Sequence, residues 1–125
     1  MARIATKSDE LLARAIAWIK QRGFATIKTN LVEGYESPSS FTNINSESSV
    51  TPDLTAVNNN KKHYFEIALK TPEVSTLVSK WKLLNRLSKI KQSNFYLFVP
   101  DGHWSFTKRL VEEHSIDAQL IKLKK

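Results

Sequence analysis

Asp53, Glu66 and Lys70 have the types and spacing to hold a divalent cation between two carboxylates with an amine beside it. They lie in the stretch TPDLTAVNNNKKHYFEIALK, Thr51 to Lys70. Asn58-Asn59-Asn60 is a turn signal, because Asn tolerates the positive φ that two-residue hairpin loops require. With Asn59-Asn60 as the loop, Val57 pairs with Lys62, Thr55 with Tyr64 and Asp53 with Glu66. Directly opposed residues are ~5 Å apart, so both acids leave neighbouring strands on the same side. Side chains alternate along a strand, which places Glu66, Ala68 and Lys70 on that side too. Like charges opposed on a sheet are destabilising unless something neutralises them. A divalent cation would do so, and an adjacent ammonium would help.

Positioning these groups falls to an ordered run of elements. Ser8 is placed to cap a first helix, with Asp9 and Glu10 favoured at the positive end of its dipole. Leu12, Ala15, Ile16 and Ile19 recur at helical spacing until Gly23. Phe24 to Leu31 reads as a strand. Val32 to Thr51 is a long polar loop with no clear period, and a loop of that length is a lid or contact-loop candidate. After the hairpin, Thr71-Pro72-Glu73 starts a second helix running to Lys91. Asn94 to Val99 reads as a buried strand, His103 to Ser115 as a third helix, and Asp117 to Leu123 as a final strand with a basic tail. The order is α-β-β-β-α-β-α-β in one domain spanning 1–125. The expected fold class is α/β, a mixed central sheet flanked by helices.

On the second helix, Val74, Leu77, Val78, Trp81, Leu84 and Leu87 share one broad arc at 100° per residue. Lys82, Arg86 and Lys89 fall together on the opposite side. That stripe is either a solvated helix back or a track for phosphates. Lys80 is different, because it lies inside the apolar arc. It either snorkels to the edge or reaches a polar pocket on the sheet.

Pro52-Asp53, followed after a hairpin by an acid and a lysine, resembles the signature of the PD-(D/E)XK nuclease superfamily, which includes restriction endonucleases and archaeal Holliday junction resolvases. The motif and the element order are both similar to that family, and the likeness spans nearly the whole chain. The resemblance implies a restriction-endonuclease-like core and a metal-dependent endonuclease acting on DNA. It implies Asp53 and Glu66 as ligands of Mg²⁺ or Mn²⁺, with a backbone carbonyl near Ile67 or Ala68 completing the shell. Such a metal would lower the pKa of a bound water and polarise the phosphate. The family places its lysine two residues after the second acid. Here either Ala68 stands in the acid position before Lys70, or Glu66 is the acid and Lys70 comes two residues late. Some branches of the family carry the lysine on the second helix, which makes Lys80 the alternative to Lys70. Many carry a glutamate on the first helix that joins the metal, and Glu10 is the matching residue. Its other reading is a surface acid stabilising the helix dipole. Small nuclease domains of this kind often work as a homodimer, although no dimer surface is marked in the sequence.

Nineteen basic against twelve acidic residues give a net charge of +7, which favours a polyanionic partner such as nucleic acid. Phosphate contacts would come from Lys82, Arg86 and Lys89 and from Lys122 and Lys124 near the C-terminus. The chain has no cysteine, which excludes disulfides and Cys-based zinc sites. His63, His103 and His114 show no metal-ligand spacing. His103 follows the Pro100-Asp101-Gly102 turn and is placed to touch substrate, whereas His63 faces away from Glu66. There is no phosphate-cradling glycine loop. No apolar run is long enough for a signal peptide or a membrane span, so a cytoplasmic location without membrane contact is expected. A second reading is a nucleic-acid-binding module that keeps the nuclease fold with a degenerate metal site. A third is a protein-interaction domain, with Trp18 and Trp104 exposed at its interface.

Overall fold

The computed structural model describes residues 9–42 and 49–123. Ser8 and Lys124, expected as a helix cap and a phosphate contact, lie outside the described residues. The elements are α1 (Asp9–Gln21), β1 (Ala25–Lys28), β2 (Phe41–Thr42), β3 (Ser49–Val50), β4 (Leu54–Asn58), β5 (Lys61–Ile67), α2 (Val74–Ile90), β6 (Phe95–Pro100), α3 (Trp104–Glu113) and β7 (Gln119–Leu123). Five strands form one mixed sheet in the order β1-β4-β5-β6-β7. β1, β4 and β5 are successively antiparallel, and β5, β6 and β7 are successively parallel. The elements of this sheet and its helices follow the expected order. The addition is a two-stranded sheet, β2 with β3, inside the stretch read as a polar loop.

The hairpin has the expected register, with Thr55 opposite Tyr64 and Val57 opposite Lys62. Asn59 and Asn60 take φ of 55° and 62°, the left-handed pair that a type I′ turn requires. β1 is shorter than expected. Its register slips between Ala25 and Lys28, and Thr26 takes a φ of 51° there. A β-branched residue at that φ is strained, so this edge strand is bent at its centre.

Alternation along the strands divides the interior in two. One face carries Leu54, Ala56, Phe65, Ile67, Tyr96 and Phe98, which pack with the buried stripe of α1. Trp18 packs there as well, against Phe24, Tyr96 and Phe98, and is not an exposed interface marker. The other face carries Tyr64, Ala68, Phe95, Leu97 and Val99 under α2 and α3. The arc read on α2 is the one that packs: Val78, Trp81 and Leu84 are buried, and Val74, Leu77 and Leu87 lean on the same cluster. Among the described residues, no helix is long and apolar enough to cross a membrane.

Candidate active site

Glu66 lies near the C-terminal end of β5, on the face covered by α2. Asp53 immediately precedes β4, and β4 is held to β5 by the Asn59-Asn60 turn. Both are buried, Glu66 at 0% exposure and Asp53 at 5%. Each acid is fastened to the other's strand. The Asp53 amide donates to Glu66 Oε2 at 2.7 Å, and the Ile67 amide donates to Asp53 Oδ2 at 2.9 Å. The Asp53 carbonyl accepts from the hydroxyl of Thr29 at 2.7 Å, and Thr29 is itself fully buried. The backbone around Asp53 is therefore pinned on both sides, by the carboxylate of β5 and by a threonine just past β1.

Two carboxylates this close are mutually repulsive, and the structure answers with an ammonium. Lys80 Nζ lies 3.1 Å from Glu66 Oε2 and 3.8 Å from Asp53 Oδ1. Its side chain is 24% exposed, so it reaches the acids from the solvent edge of α2. Of the two readings of Lys80, the polar pocket holds. A lysine inside an apolar arc sends its stem along the packed surface and its charge to the nearest acceptors.

Lys70 does not join the pair in the structure. β5 ends at Ile67, Ala68 and Leu69 still alternate between the two faces with the Ala68 amide donating to the Phe98 carbonyl, and the chain turns outward at Lys70. Lys70 is exposed, and its amide donates to His103 Nδ1 at 2.9 Å. Glu10 is not brought to the pair either. It is exposed at the start of α1, bonded to Arg14 at 2.8 Å, and α1 packs on the opposite face of the sheet. Lys82, Arg86 and Lys89 are all exposed, on the side of α2 turned away from its buried residues. Lys122 is exposed on β7, with its ammonium 5.1 Å from the centre of the Trp104 ring. His63 faces the α1 side, as expected. It accepts the Asn94 amide through Nδ1 at 3.0 Å and packs edge-on against Phe24.

Sequence reasoning missed Thr29. Its only signal was a hydroxyl at the end of a strand that precedes a long polar segment.

Among the described residues, no group of three or more His, Asp or Glu side chains is arranged to hold a metal. Mg²⁺ does not need one, because it is commonly held by one or two carboxylates while keeping several waters. Two buried, backbone-anchored carboxylates are hard oxygen donors of the kind that ion takes, so Asp53 and Glu66 fit it chemically. No protein-family model, curated protein or solved structure matches this chain.

Proposed function

We propose that this protein is a metal-dependent endonuclease that hydrolyses phosphodiester bonds in DNA, built on a restriction-endonuclease-like arrangement of the PD-(D/E)XK type. The single observation that carries the reading is the buried pair Asp53 and Glu66 met by the half-buried ammonium of Lys80. The hairpin register and the order of elements around the main sheet support it, and so does the excess of basic residues.

Asp53 and Glu66 would hold Mg²⁺ or Mn²⁺. A bound ion of that kind polarises a phosphodiester and makes a nucleophile of water near neutral pH. The remaining work belongs to the chain. Glu66 and Thr29 fix the Asp53 backbone, so its carboxylate is oriented before any ligand arrives. Lys80 brings a cation to the edge of the acid pair, where negative charge grows on a phosphate during displacement. In the resting protein the same ammonium offsets part of the acids' negative charge. Lys80, and not Lys70, is therefore assigned the role of the motif lysine.

The deciding experiment is cleavage of plasmid and branched DNA with Mg²⁺ or Mn²⁺, with Asp53→Ala assayed in parallel. Metal-dependent cleavage by the wild type, absent from the variant, is the expected result. Full activity in Asp53→Ala would remove this site from consideration.

One observation favours a second reading, a nucleic-acid-binding module without catalysis. Lys80 already occupies the position where a cation would approach the acids, and Ala68 stands where the motif expects an acid. DNA binding that needs no metal and is unchanged in Asp53→Ala, with no cleavage by either protein, would establish that alternative.

A further inference from the structure

The parallel half of the sheet ends in a cluster that the acid pair does not use. β5, β6 and β7 run in the same direction, so their C-terminal ends open onto one edge. Ligands of open α/β sheets are commonly received at that edge. Beyond β5 stands Lys70, beyond β6 stands His103, and near the end of β7 stands Lys122.

The hydrogen bonding fixes the state of His103. Its Nδ1 accepts the Lys70 amide, so in the neutral ring the proton sits on Nε2. His103 occupies the position before α3, yet its side chain does not cap that helix. The ring is instead held by the Lys70 backbone, and the first turn of α3 contains no acidic residue. Burial and then the charge of Lys70 push the imidazole below its ordinary pKa, which keeps this tautomer near neutral pH. Lys122 stands over the ring of Trp104, the residue after His103. Asp101 lies in the same turn and is exposed. The result is a half-buried N–H donor set by the Lys70 backbone, with the Lys70 charge beside it and the Lys122 ammonium over the ring of the next residue.

We infer that His103, flanked by Lys70 and Lys122, forms a phosphate-binding subsite that receives a phosphodiester of the same strand held at Asp53, Glu66 and Lys80. This rests on the nuclease reading and extends it by naming where the strand runs. Lys70 is four positions beyond Glu66, so the two Cα atoms are at most about 14 Å apart. That span covers a few nucleotides. It also gives the strand a cationic path that adjoins the acids directly, whereas Lys82, Arg86 and Lys89 face away from the sheet.

The test is the imidazole resonance of His103, followed by long-range ¹H–¹⁵N NMR in the whole chain. It is titrated separately with a short DNA oligonucleotide and with inorganic phosphate. His103→Asn is the matching variant, because its side-chain oxygen can replace Nδ1 toward Lys70 while nothing replaces the Nε2 donor. The expected result is an Nε2–H tautomer whose Nε2 signal moves with the oligonucleotide, and an affinity about tenfold weaker in His103→Asn, the size of one lost hydrogen bond to a charged group. Movement with both probes marks a site that reads phosphate as such, and movement with DNA alone marks one that needs the strand. Movement with inorganic phosphate alone would overturn the nucleic-acid assignment. A proton on Nδ1, or a silent Nε2 with both probes, would overturn the subsite itself. Cleavage by wild type with a silent His103 removes only the subsite. A moving His103 with no cleavage removes only the nuclease reading.

Discussion

His63 and Glu66 are buried polar residues three positions apart on β5, and they face opposite sides of the sheet. His63 packs against Phe24 and Tyr96, with its Nδ1 accepting the Asn94 amide. Its surroundings are apolar and its partner is backbone from the neighbouring strand connection, so it serves the fold. Glu66 is set against a second carboxylate and drawn to a lysine from a helix that solvent can reach. Burying a like-charged pair costs stability, and a fold keeps such a pair where function repays it. Burial alone therefore does not mark a site. The informative difference is whether a polar group's partners make a neutral local bond or assemble several charges at an edge.

The largest effect that would break this contrast is expected at Lys80. Lys80→Met keeps the stem but removes the ammonium from two buried acids. It should cost about 3 kcal/mol, the scale for removing one partner of a buried charge pair. It should also abolish cleavage. Asp53→Asn should lose cleavage while melting close to wild type, because its amide oxygen can still accept the Ile67 N–H. Urea denaturation of both variants checks this, and equal losses of stability would show that the trio serves the fold as His63 does.

A smaller effect is expected at Thr29, whose hydroxyl holds the Asp53 carbonyl. Thr29→Val removes the hydroxyl that holds the Asp53 carbonyl and should cost about 1–2 kcal/mol. Cleavage should fall further than this stability loss explains, with kcat affected more than KM. Thr29→Ser should restore both. A variant that loses stability but keeps kcat would confine Thr29 to packing.

The smallest effect concerns pH and sharpens the contrast from the other side. Burial lowers the pKa of His63, the Asn58 backbone opposes the shift, and Lys61 adds to it. The unfolded chain takes up this proton at about 6.5, and the folded chain only at a lower pH. The stability from a neutral His63 is thus fully present above about 6.5 and is lost as pH falls through the folded value. His103 contributes in the same direction. Melting temperature should drop between about pH 7 and 5, and His63→Phe, which keeps a ring in the aromatic cluster, should reduce that drop without altering cleavage. An unchanged drop in the variant would assign the pH response elsewhere.

Much of this was legible in the sequence because the relevant information is local. The three asparagines set the loop, the loop sets the register, and the register places Asp53 by Glu66. The arc on α2 is likewise a matter of phase along one helix. The choice between Lys70 and Lys80 is not local. Alternation persists through Ala68 and Leu69, but Lys70, past the end of β5, stands exposed with its amide bonded to His103. Lys80 reaches the acids only because α2 docks across β5 and β6, and no spacing within the helix encodes that docking. Glu10 failed to arrive for a related reason, since the side of the sheet that α1 covers depends on the crossing of the chain. The strand read over Phe24 to Leu31 ends early because the bend at Thr26 and the bond from Thr29 turn the chain toward Asp53. β2 and β3 have two residues each, too few for any period to show.

The hairpin also has a consequence in time. Asp53 and Glu66 are thirteen residues apart and are joined by a tight turn, so β4 and β5 can pair early, as contacts of short sequence separation do. At that moment two carboxylates are pressed together while their ammonium is still on an undocked segment. The nascent hairpin is frustrated at its open end and relaxed at its turn, and the arrival of α2 removes the conflict. The expected order of assembly has the turn end of the hairpin closing first and the acid end last, so substitutions at Asn59 and Asn60 should give higher folding φ-values than substitutions at Asp53.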